Sequence, residues 1–244
     1  MKEVLILASG GGTNAEAIIQ QAQIQGLDIQ FTGGSNKTAE RAGVYQKLAA
    51  LNVKMEYLPS PKSDFSKLRA FLKNVRFDLI VLAGYMRVLP SDIADNYEIV
   101  NIHPSILPFA YQGSEDAYQD ALDNNDLYTG CTVHKVTSKV DGGPRIGQIA
   151  FEIPDVDEGG GINIDTLKQV GLAHEHALYF NVMKNLLFEA PLDMQKIAQQ
   201  AQANLQSRKL PETTTIVPKG NGLVFNRFNG QGWTCTGWGV PYQR

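Results

Sequence analysis

The chain has 244 residues, of which 43% are hydrophobic and 19% are charged, and its formal net charge is −3. This is ordinary globular composition, and the absence of a long basic block argues against a large nucleic-acid interface. No apolar run approaches the roughly 18 residues that a membrane helix needs, and Cys131 and Cys235 are too few for a disulfide framework. We therefore expect a cytoplasmic protein, monomer or homodimer, with small-molecule substrates and without nucleic acid or membrane as partner.

In the first half of the chain, apolar runs of strand length alternate with amphipathic helical stretches. The predicted strands are Glu3–Ala8, Leu27–Thr32, Val53–Leu58, Phe77–Ala83 and Ile99–Ile102. The predicted helices are Asn14–Gln25, Thr38–Leu51 and Asp64–Val75. This βαβ alternation predicts an α/β fold with a doubly wound, mostly parallel sheet, similar to the Rossmann fold.

The second half changes character. Tyr128–Val136 and Arg145–Ile153 indicate a pair of β-strands, Asp165–Leu187 a long helix, and Leu192–Ser207 a more exposed helix. Beyond Pro211 the sequence is rich in Thr, Gly and Trp, which favours a small β-rich appendage with a hairpin. We expect one domain over residues 1–190 and a C-terminal extension over residues 191–244.

A glycine-rich loop, Ser9-Gly10-Gly11-Gly12-Thr13-Asn14, joins the first strand to the first helix. Glycine lets a backbone approach a ligand closely, and a helix N-terminus offers free N–H groups and partial positive charge. Gly12, Thr13 and Asn14 are therefore candidates to bind a phosphate. The alternative is a tight turn in which Asn14 only caps the helix.

The same glycines also match the dinucleotide pattern G-x-G-x-x-[GA]. That pattern needs an acidic residue about 20 positions later, at the end of the second strand, to bind a ribose. Here the second strand leads into Gly34-Ser35-Asn36-Lys37, which contains no acidic residue. A phosphate monoester is thus a better prediction than a dinucleotide.

Asn101 and His103 lie at the end of a predicted strand, where ligands bind in open α/β sheets. Alternation along a strand places both side chains on one side. Together they provide an amide donor and a titratable imidazole. The alternative is a capping asparagine beside an ordinary loop histidine, and for Asp141-Gly142 the alternative is an ordinary turn.

Three separated motifs share their type, order and spacing with one enzyme family. They are A-G-Y-M-R-V-L (Ala83–Leu89), N-I-H-P-S-I-L-P (Asn101–Pro108) and V-H-K-V-T-S-K-V-D-G-G-P (Val133–Pro144). From residue 2 to about residue 188, the chain resembles the formyltetrahydrofolate-dependent formyltransferases. The resemblance implies a Rossmann-like formyltransferase fold, 10-formyltetrahydrofolate as co-substrate and no metal. It also implies transfer of the formyl group to the amine of phosphoribosylglycinamide in purine synthesis.

The resemblance assigns a role to each matching position. It implies that Asn101, His103 and Asp141 form the catalytic group, which would require the fifth strand and the D-G-G-P turn to converge on one carbonyl carbon. The folate would be bound by Lys67, Met86, Arg87, Val88, Leu89, Asn101, Thr137, Ser138, Lys139, Val140 and Asp141. The phosphoribosyl acceptor would be bound by Gly12, Thr13, Asn14, His174 and Glu175, and His134 would lie near the site.

The chemistry of formyl transfer suits these residue types. An amine that attacks the formyl carbon creates a tetrahedral oxyanion, to which Asn101 and a protonated His103 can donate hydrogen bonds. Histidine can also assist the proton transfers, and a carboxylate such as Asp141 favours the protonated imidazole. His174-Glu175-His176 does not have the i, i+4 spacing of a helical zinc site, so we assign no metal.

The chain departs from the family pattern in three places. Phe109–Asp116 replaces the usual basic or small residue, aromatic residue and Pro-Gly, which bears on the acceptor pocket. Arg145 replaces an apolar residue, and Gly159-Gly160-Gly161 makes one loop richer in glycine.

Other functions remain open on the sequence alone. They are a formyltetrahydrofolate hydrolase, a methionyl-tRNA formyltransferase, an N-formyltransferase for an amino-sugar nucleotide, and a catalytically silent binding module. The first would need a regulatory domain before the first strand, and the second a larger basic C-terminal domain. The amino-sugar enzyme, which usually lacks the glycine loop, is the main alternative.

Overall fold

The computed structural model describes residues 1–153 and 162–208 and the backbone of residues 224–227 and 233–235. The chain divides into two compact units. The first unit comprises Met1–Ile102, Lys135–Pro144 and Leu186–Ala190, and the second comprises the described parts of His103–His134, Arg145–Asn185 and Pro191 onward. Gly159–Gly161 and the tail outside the two short strands lie beyond the described residues.

The first unit is built on a parallel sheet with the strand order β3-β2-β1-β4-β5. Its strands are β1 (Lys2–Leu7), β2 (Ile29–Ser35), β3 (Lys54–Tyr57), β4 (Leu79–Leu82) and β5 (Ile99–His103). Its helices are α1 (Thr13–Ile24), α2 (Val44–Ala50), α3 (Ser66–Asn74) and α4 (Ser91–Ala94), with a 3₁₀ turn at Pro61–Ser63. The order reverses direction between β1 and β4, as in a doubly wound fold, which confirms the predicted fold class.

Both faces of this sheet are buried. Leu5 and Leu7 of β1 pack on one face with apolar residues of α3 and α4, including Leu68 and Ile93. Val4 and Ile6, which alternate with them, are also fully buried. A parallel sheet covered on both faces explains why β1 and β4 are nearly continuous apolar runs.

The second unit contains a series of antiparallel strands, one short helix and two longer helices. Strand β6 (Tyr128–Lys135) pairs with β7 (Arg145–Glu152), β7 pairs with β8 (Val224–Arg227), and β8 pairs with β9 (Trp233–Cys235). The helices are α5 (Ala117–Asp123), α6 (Ile164–Phe188) and α7 (Met194–Gln206). The β8–β9 pair is the predicted β-rich element of the tail.

Two predicted boundaries were wrong by three residues or more. Helix α2 begins at Val44 rather than at Thr38, because Arg41 N donates to Thr38 O in a turn and Val44 N donates to Gly10 O. Strand β2 continues to Ser35 rather than ending at Thr32. Gly33 lies within this strand, where Met55 and Leu48 occupy the space that a side chain would need.

Candidate active site

The carboxyl ends of β1 and β4 meet where the strand order reverses. Ser9 follows β1, is fully buried, and its N–H donates to Gly84 O at 3.0 Å. Its Oγ donates to Asn36 Oδ1 at 2.6 Å and accepts from Met86 N at 3.0 Å. One hydroxyl group therefore joins the glycine loop, the segment after β2 and the predicted folate segment.

The glycines of the loop differ in their surroundings. Gly12 has a φ of +73°, and a Cβ at this position would lie 2.6 Å from Val44 Cγ2. A Cβ at Gly10 or Gly11 would meet no atom of the described residues within 4 Å, apart from the adjoining residues of the chain. Gly12 is therefore required by the fold itself, whereas the open space at Gly10 and Gly11 is available to a ligand at the N-terminus of α1.

The predicted folate segment Met86–Leu89 follows β4. Met86 and Val88 are two-thirds exposed, while Leu89 is buried in the core of the first unit. Exposed apolar side chains beside a polar backbone suit the face and edge of an aromatic heterocycle. Lys67 lies on α3 with its side chain exposed.

Arg87 lines a cleft of about 360 Å³ that the sequence did not predict. Its Nη2 donates to Ser60 O at 3.1 Å and lies 3.3 Å from Ser63 Oγ. Asn36 and Lys62 also line the cleft. A guanidinium and an ammonium group at one cleft form a suitable site for a carboxylate. The cleft was not predicted because the 3₁₀ turn at Pro61–Ser63 was not recognised in the sequence. This turn places Ser60 and Lys62 at the same cleft as Arg87.

The predicted segment Thr137–Asp141 forms part of a turn over residues 135–144. Lys135 N donates to Pro144 O at 2.8 Å, and Gly142 N donates to Lys139 O at 3.0 Å. Ser138 N donates to Asp95 Oδ1 at 3.1 Å. Asp141 has a φ of +49°, in the left-handed region that few residues other than glycine adopt. The backbone of the D-G-G-P turn is thus held by specific contacts and contains one strained residue.

The turn also depends on Gly143. A Cβ there would lie 1.9 Å from Lys135 O, a backbone atom that cannot move aside. At the neighbouring Gly142, a Cβ would meet only the flexible side chain of Lys139. The second glycine of D-G-G-P is therefore required by the packing of the turn.

Asn101 and His103 both lie at the end of β5, as predicted. Asn101 and Asp141 belong to the first unit and His103 to the second. His103 is buried, and its Nε2 lies 2.9 Å from Tyr111 O. Because a carbonyl oxygen can only accept, this hydrogen bond places a proton on Nε2.

Tyr111 belongs to the segment in which the chain departs from the family pattern. Its φ is +54°, and its Oη donates to Asp126 Oδ2 at 2.5 Å. Asn124 Nδ2 donates to the same hydroxyl at 3.0 Å. Two side chains therefore hold the residue whose carbonyl accepts from His103, an arrangement that the sequence did not reveal.

The second departure, Arg145, supports the same region. Its Nη1 donates to Leu107 O at 3.1 Å, and Gln148 Nε2 donates to that oxygen at 2.8 Å. Leu107 N in turn donates to Thr132 Oγ1 at 3.1 Å. An apolar residue at position 145 could not make this contact. His134 is buried in β6, opposite Arg145 in the register of β7.

On α6, the three residues His174-Glu175-His176 point to different neighbours. His174 stacks on Phe151 with ring centroids 4.2 Å apart, and its Nδ1 lies 2.8 Å from Val170 O. Desolvation of the imidazole lowers the pKa of His174 to about 4, so the ring is neutral at physiological pH. Arg208 Nη2 donates to His176 Nδ1 at 3.3 Å.

Glu175 is buried and accepts a hydrogen bond from Tyr118 Oη at 2.9 Å. Tyr118 was not predicted from the sequence. The sequence signal that could have located Tyr118 on a helix was Asp116, which caps α5. Its side chain accepts from Gln119 N and so fixes the start of that helix.

Within residues 1–153 and 162–208, no group of three or more His, Cys, Asp or Glu side chains is placed to bind a metal ion. In the same part of the chain, none of the helices combines the length and apolar character that crossing a membrane requires.

Comparison with known proteins gives consistent results. Residues 2–183 match the family model described as formyl transferase. A phosphoribosylglycinamide formyltransferase of Bacillus subtilis is 33% identical over 204 residues, which cover 77% of this chain and 95% of the relative. A crystal structure of phosphoribosylglycinamide formyltransferase from Brucella melitensis has a TM-score of 0.66 at 34% identity, covering 78% of this chain and 97% of that one. A glycinamide ribonucleotide transformylase from Geobacillus kaustophilus has a TM-score of 0.67 at 33% identity, covering 77% and 99%.

Proposed function

Because this chain belongs to the formyl transferase family, we propose that it transfers the formyl group of 10-formyltetrahydrofolate to the amine of phosphoribosylglycinamide. The reaction is a step of purine biosynthesis. Phosphoribosylglycinamide is the acceptor in the names of the similar proteins. The two alternatives retained from the sequence are an amino-sugar nucleotide as acceptor and a silent binding module.

The glycine loop is the observation that carries the choice of acceptor. Gly10 and Gly11 leave open space beside the N-terminus of α1, since a Cβ at either position would meet no atom of the described residues within 4 Å. Free N–H groups and the partial positive charge of a helix N-terminus favour a phosphate dianion there. Thr13 and Asn14, in the first turn of α1, are the side chains that we assign to this phosphate.

In the reaction, the acceptor amine attacks the formyl carbon, and a tetrahedral intermediate forms. We assign Asn101 and His103 as hydrogen-bond donors to its oxyanion. The bond from the formyl carbon to N10 of the folate then breaks, while a proton leaves the attacking nitrogen and another reaches N10. Asp141 is assigned to assist these proton transfers and to balance the charge of a protonated His103.

The contact between His103 and Tyr111 supports a definite protonation state for this step. With the proton of Nε2 donated to Tyr111 O, a second proton is gained and lost at Nδ1. Orientation of a catalytic imidazole by a hydrogen bond from its other nitrogen is a common way to select one tautomer. Tyr111 is therefore assigned as a positioning residue for His103.

The folate is assigned to Met86–Leu89 and to Thr137–Asp141, with Lys67 as a further contact. Folate carries a glutamate tail, and the cleft lined by Arg87 and Lys62 has the charge to bind its carboxylates. The exposed side chains of Met86 and Val88 suit the pteridine. For the acceptor, Glu175 is assigned to the glycinamide amine, next to the neutral ring of His174, and His134 is assigned a place near the site.

A transfer assay with a panel of amines tests the proposal. The full-length chain is incubated with 10-formyltetrahydrofolate and, separately, with phosphoribosylglycinamide, an amino-sugar nucleotide or methionyl-tRNA, and folate release is followed by absorbance. We expect the highest kcat/KM with phosphoribosylglycinamide. Transfer to the amino sugar alone would reject this acceptor, and no transfer to any amine would favour the binding module.

Replacement of one carboxylate tests the catalytic group. Asp141→Asn should preserve the fold and lower kcat by about 10²-fold or more, since a charged transition state loses its partner. Circular dichroism and the melting temperature report the fold, and steady-state kinetics report kcat. A kcat near that of the wild type would reject the role of Asp141.

A further inference from the structure

Helices α5 and α6 of the second unit are attached to each other at two polar points. Lys168 Nζ of α6 binds Asp116 Oδ2, the cap of α5, at 2.6 Å. Seven residues further along α6, Glu175 Oε1 accepts from Tyr118 Oη at 2.9 Å. The first contact is partly exposed, whereas Tyr118 and Glu175 are both buried.

The sequence of α6 is adapted to this contact. Gly171 lies one turn before Glu175 on the same face of the helix. A Cβ at Gly171 would lie 2.2 Å from Tyr118 Oη and 2.3 Å from its Cζ. Glycine inside a helix is unfavourable by roughly 1 kcal/mol relative to alanine, and here its lack of a side chain makes the space for the phenol.

Burial gives the contact a fixed protonation state. Burial, with the neighbouring Glu175 carboxylate as a second cause, raises the pKa of Tyr118 well above its usual value. The phenol therefore remains protonated and acts as a donor. One oxygen of the carboxylate is held by a rigid aromatic residue, which limits rotation of the whole group.

We propose that Tyr118 is a positioning residue that orients the carboxylate of Glu175 toward the amine of the acceptor. This inference rests on the proposed function, in which Glu175 binds that amine. An ionised carboxylate offers about four acceptor positions, so the hydrogen bond from Tyr118 is compatible with an amine donor.

The test separates positioning from folding by comparing the two substrates. Tyr118→Phe removes one hydroxyl group and should raise KM for phosphoribosylglycinamide about tenfold, the effect of a hydrogen bond to a charged group. KM for 10-formyltetrahydrofolate should change less than about twofold, because the folate makes no use of this hydrogen bond. Tyr128→Phe, which removes the hydroxyl group of a half-exposed tyrosine in the same unit, is the matched control and should leave both KM values unchanged.

Two further variants complete the experiment. Glu175→Gln should raise KM for the acceptor by itself, and adding Tyr118→Phe to it should raise that KM no further. Gly171→Ala places a methyl group against the phenol and should reproduce the effect of Tyr118→Phe without altering any polar group. It supplies the answer if the tyrosine variant fails to fold.

Each other outcome overturns the inference. If Glu175→Gln raises the acceptor KM but Tyr118→Phe and Gly171→Ala do not, the positioning role is wrong and the proposed function stands. If KM rises equally for both substrates, the contact is only structural. If Glu175→Gln leaves KM for phosphoribosylglycinamide unchanged, Glu175 does not bind the amine and the inference fails with that assignment.

Discussion

At the scale of single residues, the adjacent glycines of the loop after β1 are needed for different physical reasons. Gly12 is needed because its φ of +73° and its contact with Val44 leave no room for a side chain. A Cβ at Gly10 or Gly11 would lie in open space. Substitution can therefore separate what the fold requires from what a phosphate requires.

Alanine at positions 11 and 12 should give opposite results. Gly12→Ala should lower the free energy of unfolding by about 1–3 kcal/mol, the cost of left-handed backbone in a residue with a Cβ. Gly11→Ala should change it by less than about 1 kcal/mol, but should raise KM for phosphoribosylglycinamide at least about tenfold, because a methyl group blocks the phosphate. Urea unfolding and steady-state kinetics measure the two effects. An unchanged acceptor KM in Gly11→Ala would contradict the phosphate assignment.

His174 makes stability depend on pH. Its pKa is lowered to about 4 from an ordinary value of 6.5, so the unfolded state binds more protons between these values. Titration of His174 therefore leaves the free energy of unfolding unchanged above pH 6.5. As the pH falls from 6.5 toward 4, it lowers that free energy by at most about 3 kcal/mol. His174→Gln, which cannot titrate, should lose less stability than the wild type between pH 7 and pH 4. Parallel curves for both proteins would show that His174 does not contribute.

The sequence predicted which residue types could act but not how they are held. Ser9, Tyr111 and Tyr118 were missed because each acts through a partner distant in sequence: Asn36 and Met86, Asp126, and Glu175, respectively. Such contacts have no local pattern. The glycine loop before α1 and the end of β5 could be located because strand, turn and helix patterns are local.

At the scale of elements, the D-G-G-P turn shows why a short motif needs glycine at a particular position. Its two glycines are not equivalent, because only Gly143 faces a backbone atom, Lys135 O, at 1.9 Å. The turn is closed by the hydrogen bond between Lys135 N and Pro144 O. Asp141 lies between these attachments, so its position depends on an undistorted turn.

A matched pair of variants tests this dependence. Gly143→Ala should displace the turn and lower kcat by about 10²-fold, the effect of a misplacement near 1 Å. In Gly142→Ala the nearest atoms to the new methyl group belong to the side chain of Lys139 and not to the backbone, so this variant should keep most of the turnover. Kinetics with saturating substrates give kcat for each. Equal activity of the two variants would contradict the requirement for Gly143.

The errors in the predicted boundaries of helices and strands show what a local sequence pattern can and cannot determine. Helix α2 was predicted too long because Thr38 is a good cap, whereas the bond from Val44 N to Gly10 O fixes the true start from another part of the chain. The short helices α4 and α5 were not predicted, because four and seven residues give too little periodicity. The parallel strands were predicted well because both faces are buried and the apolar runs are continuous.

At the scale of the molecule, helix α7 is integrated into the second unit by packing. Met194, Ile197 and Ala201 are buried. Asn204 Nδ2 donates to Ala173 O of α6 at 3.1 Å, and Asn181 of α6 donates to Gln200 Oε1 at 3.0 Å. The domain boundary at residue 190 stays a prediction, and these contacts give a way to test it.

Truncation provides that test. A chain ending at Ala190 should lose about 4 kcal/mol or more of stability, since the apolar residues of α7 no longer cover α6. A chain ending at Arg208 retains α7 and is the control. Thermal unfolding followed by circular dichroism compares both with the full chain. A chain ending at Ala190 that melts at the same temperature would support an independent domain over residues 1–190.

The buried hydroxyl of Ser9 has a consequence for how such an enzyme can change over evolution. Because it fastens the glycine loop to Asn36 and to the backbone of Met86, a change in the backbone of the loop would be transmitted to the segment that follows β4. With the acceptor phosphate at the loop and the folate at Met86–Leu89, as we propose, a lineage that reshaped the loop to accept a different amine would disturb the one-carbon donor as well. New acceptors would then be gained more readily by changes in segments that this hydroxyl does not hold.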